Sequence, residues 1–253
     1  DMNNNKKSPL LAVKGLVSGG KQNFVIILAA IALFAIFTLI NSGFASSGNL
    51  LTMTKALVPY AILSLGVTFV IATGGIDLSI GTVLFGSAVL AGALCKTGVT
   101  AEEGTLWLTI PIILSVGVIF GLINGFLVAK CKLAPFIATL GTMLVSRGLT
   151  AVVSEAVRET SSAVKYPATG WFQKVFTNYE GFPIGIVWVL ALLIICMIVM
   201  YKTKVGRYIL AIGSNEEAAR LSGINTDKYK ITAYAISGLF AGIAALFYVA
   251  SNP

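Results

Sequence analysis

Long apolar runs separated by short polar segments dominate this chain. Seven of them are long enough, or nearly so, to cross about 30 Å of hydrocarbon at about 1.5 Å per residue. The third is short and contains glycines, which leaves a broken or re-entrant helix open there. The pattern predicts an all-α polytopic membrane protein with a bundle of about seven transmembrane helices. The runs lie at residues 24–40, 56–73, 79–94, 106–129, 135–153, 184–201 and 231–250.

Composition agrees with a membrane location and excludes several chemistries. Hydrophobic residues make up 57% of the chain, charged residues 11%, and the mean hydropathy is +0.90, far from a soluble balance. Histidine is absent, which excludes imidazole catalysis and histidine metal ligands. Cys95, Cys131 and Cys196 are isolated, and no phosphate-binding Walker sequence occurs. We expect no catalytic residue, no metal site and no cofactor in this chain, which is therefore not an enzyme.

The net charge of +8 is a topology signal. With a cytoplasmic N-terminus, seven alternating spans place twelve basic residues inside and five outside, with Arg147 within a span. This asymmetry follows the positive-inside rule and argues against nucleic-acid binding. The inside set is Lys6, Lys7, Lys14, Lys21, Lys130, Lys132, Lys202, Lys204, Arg207, Arg220, Lys228 and Lys230. The outside set is Lys55, Lys96, Arg158, Lys165 and Lys174.

This topology divides a single membrane domain, residues 1–253, into spans and three polar segments. Residues 1–23 form a cytoplasmic tail, 154–183 an external loop and 202–230 a cytoplasmic loop. The external loop carries Trp171, Phe172, Phe176 and Tyr179. Those aromatics suit either a surface for an external partner or the membrane, or ordinary packing onto the span ends.

Residues 213–224 predict a short, charged helix within the second cytoplasmic segment. Asn215 or Ser214 is suited to cap its start, and Glu216 and Glu217 then lie where the helix dipole favours negative charge. Gly223 lies where a left-handed residue ends a helix. A polar helix of about two turns cannot span a bilayer. Its small alanines suit docking into a groove of another protein, where a bulky residue at Ala219 would clash.

Glycine spacing predicts how two spans pack. Gly117, Gly121 and Gly125 repeat every four residues on the fourth span, as Gly238 and Gly242 do on the seventh. Small residues at this spacing let helix backbones approach closely in lipid. We expect a compact bundle.

Three polar residues are candidates for a translocation path. Asp77 follows Gly74 and Gly75 in a turn-like break, where capping of the next helix by Asp77 or Ser79 is the alternative to a transport role. Arg147 lies roughly 18 Å along the fifth span and must either extend to the membrane surface or face a polar cavity. Asn124 lies within the fourth span.

Several ordered motifs connect these features to a family. They are residues 74–81 (GGIDLSIG), 121–125 (GLING), 134–143 (APFIATLGTM) and 203–208 (TKVGRY), followed by Ser237-Gly238. Over nearly its whole length the chain resembles the membrane permease of bacterial ABC importers for monosaccharides, most closely the ribose type. The resemblance implies a multi-pass protein of the bacterial inner membrane.

In that family a cytoplasmic loop helix inserts into a separate ATP-binding subunit. The resemblance therefore assigns this coupling role to Asn215, Glu216, Glu217, Ala218, Ala219, Arg220, Ser222 and Gly223. It implies further partners: an external sugar-binding protein, a second permease copy in a homo- or heterodimer, and membrane lipid. ATP would be bound by the partner subunit. Because such permeases continue with further membrane helices, we also expect a C-terminally truncated form of the larger fold.

Two other function classes remain alternatives. An ion-coupled secondary transporter would place ionisable residues at the midplane and need no docking helix. A membrane interaction or receptor protein would share only the number of spans. Ribose is the sugar that the resemblance favours, with galactose, xylose, autoinducer-2 and nucleosides left open.

Overall fold

Helices make up the architecture of the protein. The structure, a computed structural model, describes residues 9–95, 103–160, 166, 170–177 and 182–252. In chain order the helices are α1 (Pro9–Ile40), α2 (Ser47–Ile71), α3 (Ile80–Leu94), α4 (Glu103–Ala129), α5 (Pro135–Thr160), α6 (Trp171–Phe176), α7 (Ile184–Lys202), α8 (Lys204–Ser214), α9 (Glu216–Leu221) and α10 (Thr226–Ser251).

The helices confirm the predicted polytopic bundle. Within the described residues, α2, α4, α5, α7 and α10 are long and apolar enough to cross a membrane. Two shorter apolar helices, α3 and the stretch Phe24–Ile40 of α1, account for the remaining predicted spans. Helix α2 begins nine residues before the predicted span, at Ser47, because its first turns are polar and apolar spacing does not reveal them.

The chain divides into two compact units, residues 1–52 and 53–253. In the first unit, the Phe44 ring lies 5.3 Å from that of Phe34 and 5.5 Å from that of Phe37. These contacts pack the turn after α1 back onto the end of that helix. The second unit holds the main core and every candidate site residue.

The glycines of α4 and α10 bring these two helices into close contact. A β-carbon built on Gly117 would overlap the carbonyl oxygen of Gly238, and one on Gly238 would overlap that of Gly117. One turn along, a β-carbon on Gly121 would overlap the carbonyl oxygen of Tyr234. The two backbones therefore run antiparallel in direct contact. The spacing predicted such a close approach of backbones, and the structure shows which two helices meet.

The aromatic residues of the predicted external loop pack onto span ends. Phe172 of α6 is fully buried, and Phe176 lies 5.3 Å edge-on from Phe247 of α10. The indole nitrogen of Trp188 donates to the Val175 carbonyl oxygen at 3.0 Å. Of the two interpretations left open, packing on the span ends is the one that these contacts support. Tyr179 lies outside the described residues.

Candidate functional site

Helix α9 is capped at both ends by the residues that the sequence indicated. The Asn215 side-chain oxygen accepts the Ala218 amide at 2.9 Å. At the other end Gly223 has φ +83°. Its amide donates to the Arg220 carbonyl oxygen at 3.0 Å, and the Ile224 amide donates to that of Ala219 at 3.1 Å. This pair of bonds is the Schellman motif, which ends a helix sharply at a left-handed residue.

The two first-turn carboxylates of α9 are both paired. Glu216 accepts the Lys230 ammonium of α10 at 2.6 Å, which connects α9 to the start of α10. Glu217 pairs with Arg220 one turn along α9. The hydrogen bond from Arg220 holds the pKa of the Glu217 carboxyl below its usual value, so the pair stays ionised at neutral pH.

One alanine of α9, Ala219, does not lie on the exposed face of the helix, contrary to the expectation from the sequence. Ala218 is exposed, but Ala219 is buried in its own chain, with 5% of its surface accessible. The expectation that a bulky residue at Ala219 would meet a partner's groove is therefore wrong, since it would first disturb the packing of its own chain. Leu221, which sequence reasoning missed, is 81% exposed at the end of α9. Its signal was a large apolar residue at the end of an otherwise polar helix.

Helix α8 directly precedes α9 and packs against the bundle. Its residues Gly206, Ile209 and Ile212 are buried at helical spacing, so one face of α8 packs on the bundle. At its end, a β-carbon on Gly213 would overlap the carbonyl oxygen of Ala72. Helix α8 therefore contacts the chain directly after α2, where the Gly74-Gly75 break begins.

Beyond α9, two open clefts flank the turn that leads into α10. One has a volume of about 460 Å³ and is lined by Tyr208, Tyr229 and residues 222–225, and the other, of about 350 Å³, lies beside Lys132 and Arg220. Across this surface the Asp227 carboxylate accepts Lys130 at 3.0 Å and Lys132 at 2.8 Å. These ion pairs join the α4–α5 connection to α10. The loop and its neighbours thus present one continuous polar surface.

A second group of polar side chains, separate from this surface, forms a buried network that contains Asp77. One Asp77 carboxylate oxygen accepts the amide and the hydroxyl of Ser79, at 3.0 and 2.7 Å. The other accepts the Ser237 hydroxyl of α10 at 2.8 Å. Ser79 is the N-cap residue of α3 but makes no side-chain capping bond; its hydroxyl donates to Asp77, and its oxygen accepts the Asn124 amide instead of a backbone amide of α3. Asp77 therefore holds the break to α10 rather than capping α3 directly.

The same network includes Asn124. Its amide nitrogen donates to the Ser79 hydroxyl at 2.8 Å, and its oxygen accepts the Thr142 hydroxyl at 2.6 Å. Ser79 and Asn124 are each 1% exposed. Such satisfied networks specify a unique arrangement of the helices that share them. Here they join the α3 break to α4, α5 and α10.

Arg147 stands apart from that network. The structure brings Asp77 and Asn124 together through Ser79, while Arg147 lies on the exposed face of α5. The same face carries Leu144, which lies one turn before Arg147 and is 59% exposed. Arg147 is therefore available to a polar cavity or to the membrane surface.

Comparison with known proteins shows the family. A model described as the permease component of the branched-chain amino acid transport system matches residues 49–252. The ribose import permease RbsC of Haemophilus influenzae is 38% identical over 221 residues, which cover 87% of this chain and 66% of that protein. The chain belongs to this permease family. It is a transmembrane permease subunit of the ABC class, similar to the ribose-type sugar permeases.

Further relatives of this permease share its type. The ribose import permease of Bacillus subtilis is 35% identical over 218 residues, 86% of this chain and 65% of that protein. The galactofuranose transporter permease YtfT of Escherichia coli is 35% identical over 207 residues, 80% of this chain and 57% of that protein. The permease chain spans about two thirds of the length of the ribose permeases that it matches. No solved structure matches it.

Proposed function

We propose that this permease is the membrane subunit of an ATP-driven importer for a monosaccharide. Relatives at 35–38% identity are named as permeases for ribose, fructose and galactofuranose, which supports a pentose or hexose, with ribose as the first candidate. A separate binding protein delivers the sugar from outside. ATP binds to a partner subunit, in keeping with the lack of a Walker sequence in this chain.

The observation that carries the proposal is the shape of α9. A polar helix with both ends capped projects Ala218, Arg220 and Leu221 away from the bundle. Its base is fixed through the Glu216–Lys230 ion pair. A helix that is rigid but exposes an apolar anchor beside a charged pair has the anatomy of a docking element. The partner's groove would receive Leu221 and Ala218.

Residues for the translocation path come from two places: the exposed face of α5 and the buried network around Asp77. We assign Arg147 to the path itself, where its guanidinium would meet sugar hydroxyls or water. Asp77 and Asn124 position the break that borders the path. A second copy of the permease would close the other side, since one α5 face cannot enclose a sugar.

The orientation of the loops gives the first test. A cysteine replacing Ser214 should resist membrane-impermeant thiol reagents in intact cells, whereas one replacing exposed Lys174 on α6 should react. Because Cys131 is exposed, it should first be changed to serine, together with Cys95 and Cys196. Labelling at Ser214 and protection at Lys174 would reverse the topology and place α9 away from any cytoplasmic ATPase.

Assembly gives the second test. The tagged permease should co-purify an ATP-binding subunit from detergent, and Glu217→Arg should reduce that recovery about tenfold or more. The substitution breaks the Glu217–Arg220 pair and puts positive charge where the helix dipole opposes it. Detergent melting temperature should stay within about 2 °C, because surface substitutions alter stability little. Full recovery with Glu217→Arg would leave α9 as a solvated loop helix and favour an ion-coupled transporter.

A further inference from the structure

Three residues on one face of α10 contact both α9 and the Gly74-Gly75 break. Lys230, Tyr234 and Ser237 are spaced four and three residues apart, so they share one face of the helix. Lys230 pairs with Glu216 of α9 at 2.6 Å. Tyr234 donates its hydroxyl to the Ile76 carbonyl oxygen at 3.1 Å, and Ser237 donates to Asp77 at 2.8 Å. One face of one helix therefore joins the docking element to the break.

The break is held tightly on this side. A β-carbon on Gly75 would lie 2.8 Å from the Tyr234 hydroxyl oxygen, so only glycine lets that hydroxyl reach the backbone. Just before the break, a β-carbon on Gly213 of α8 would overlap the carbonyl oxygen of Ala72. The helices before and after α9 therefore contact neighbouring parts of one stretch, residues 72–77.

The opposite side of the break is open. Ile76 and Leu78 are 48% and 39% exposed, although Asp77 between them is buried. The break also lies at membrane depth, since Asn124 connects Ser79 to Thr142, and Thr142 is about 10 Å along α5 from Pro135 at about 1.5 Å per residue. Non-helical backbone at that depth is tolerated where it is packed in protein or lines a water-filled cavity. One side of the break therefore meets α10, and we assign the exposed side to the border of the proposed path.

We propose that Lys230, Tyr234 and Ser237 are positioning residues that transmit the state of α9 to the break at Asp77. The proposal rests on the function given above and adds the route by which ATP hydrolysis moves the path. The Asp77–Ser237 hydrogen bond is its last contact. In this role each residue acts through the element it holds: α9 for Lys230, and the break for Tyr234 and Ser237.

Ser237→Ala tests the route against a matched control. Ser87 is equally buried, and its hydroxyl bonds only the Val83 carbonyl oxygen within α3. In the complete importer in proteoliposomes, Ser237→Ala should lower the ratio of sugar-stimulated to basal ATP hydrolysis roughly tenfold, within the usual range of coupling effects. Ser87→Ala should leave that ratio unchanged. Equal ratios in the two variants would overturn the proposal.

Two further variants keep the test decisive. If Ser237→Ala does not fold, Tyr234→Phe removes only the hydroxyl that bonds Ile76 and should lower the same ratio. When Lys230→Met is combined with either variant, the ratio of sugar-stimulated to basal ATP hydrolysis should fall no further than in the more impaired single variant, because the two substitutions act on one route. Multiplied losses, expected of independent sites, would contradict it. A wild-type importer without sugar-stimulated ATP hydrolysis would instead refute the proposed function, which separates the two failures.

Discussion

Replacing Gly238 with leucine is expected to prevent the bundle from assembling. The new side chain would overlap the Gly117 carbonyl oxygen. Because that atom belongs to the backbone, the overlap can be relieved only by moving α4 and α10 apart. Overpacking against flexible side chains costs about 1–3 kcal/mol, and a clash with backbone should exceed that range. The measurement is the yield of monodisperse protein in mild detergent, together with its melting temperature.

A second glycine provides the control. Gly148 lies in the middle of α5, and a β-carbon there meets no atom within 4 Å. Gly148→Leu adds the same volume to a helix in the same membrane and should retain the wild-type yield and melting temperature. Equal behaviour of the two leucine variants would mean that α4 and α10 do not meet through their glycines.

Tryptophan at Ala218 and at Ala219 should give opposite results. Ala218 is exposed and Ala219 is buried within the chain. Ala218→Trp should therefore abolish recovery of the ATP-binding subunit while the melting temperature is retained. Ala219→Trp should lower the melting temperature by several degrees, since overpacking a buried site costs about 1–3 kcal/mol.

The neighbouring positions make this comparison strict. Both variants carry the same indole on the same helix, one residue apart, so composition and helix propensity are matched. Loss of the partner with a normal melting temperature at Ala219, or instability at Ala218, would contradict the orientation of α9. Leu221→Asp should repeat the Ala218→Trp result by removing the exposed apolar anchor.

Features with a local cause were predictable from the sequence. Asn215 caps α9 by accepting the amide three residues later, and Gly223 ends the same helix, so each residue lies within one turn of the backbone that it affects. The Gly117 and Gly238 repeats likewise record a contact of helix backbones, although not which helices meet. The apolar runs located the spans, with an error at α2, whose first turns are polar.

The buried network around Asp77 could not be predicted from local sequence patterns. Asp77 and Asn124 were separate candidates, and the structure joins them through Ser79, with Ser237 160 residues from Asp77. Hydroxyl residues such as Ser237 and Thr142 are common in membrane helices, and nothing in their spacing names a partner across the bundle. The burial of Ala219 depends in the same way on tertiary packing, because helix periodicity alone does not say which face of α9 meets the protein.

The most direct test of the central claim is sugar uptake in proteoliposomes. The permease should be reconstituted with its ATP-binding subunit and binding protein, with ATP supplied on the side that α9 faces and radiolabelled ribose on the other. We predict uptake that requires hydrolysable ATP and the binding protein, and that Ala218→Trp abolishes. Uptake driven by a proton or sodium gradient with neither ATP nor the partner subunit would contradict the account.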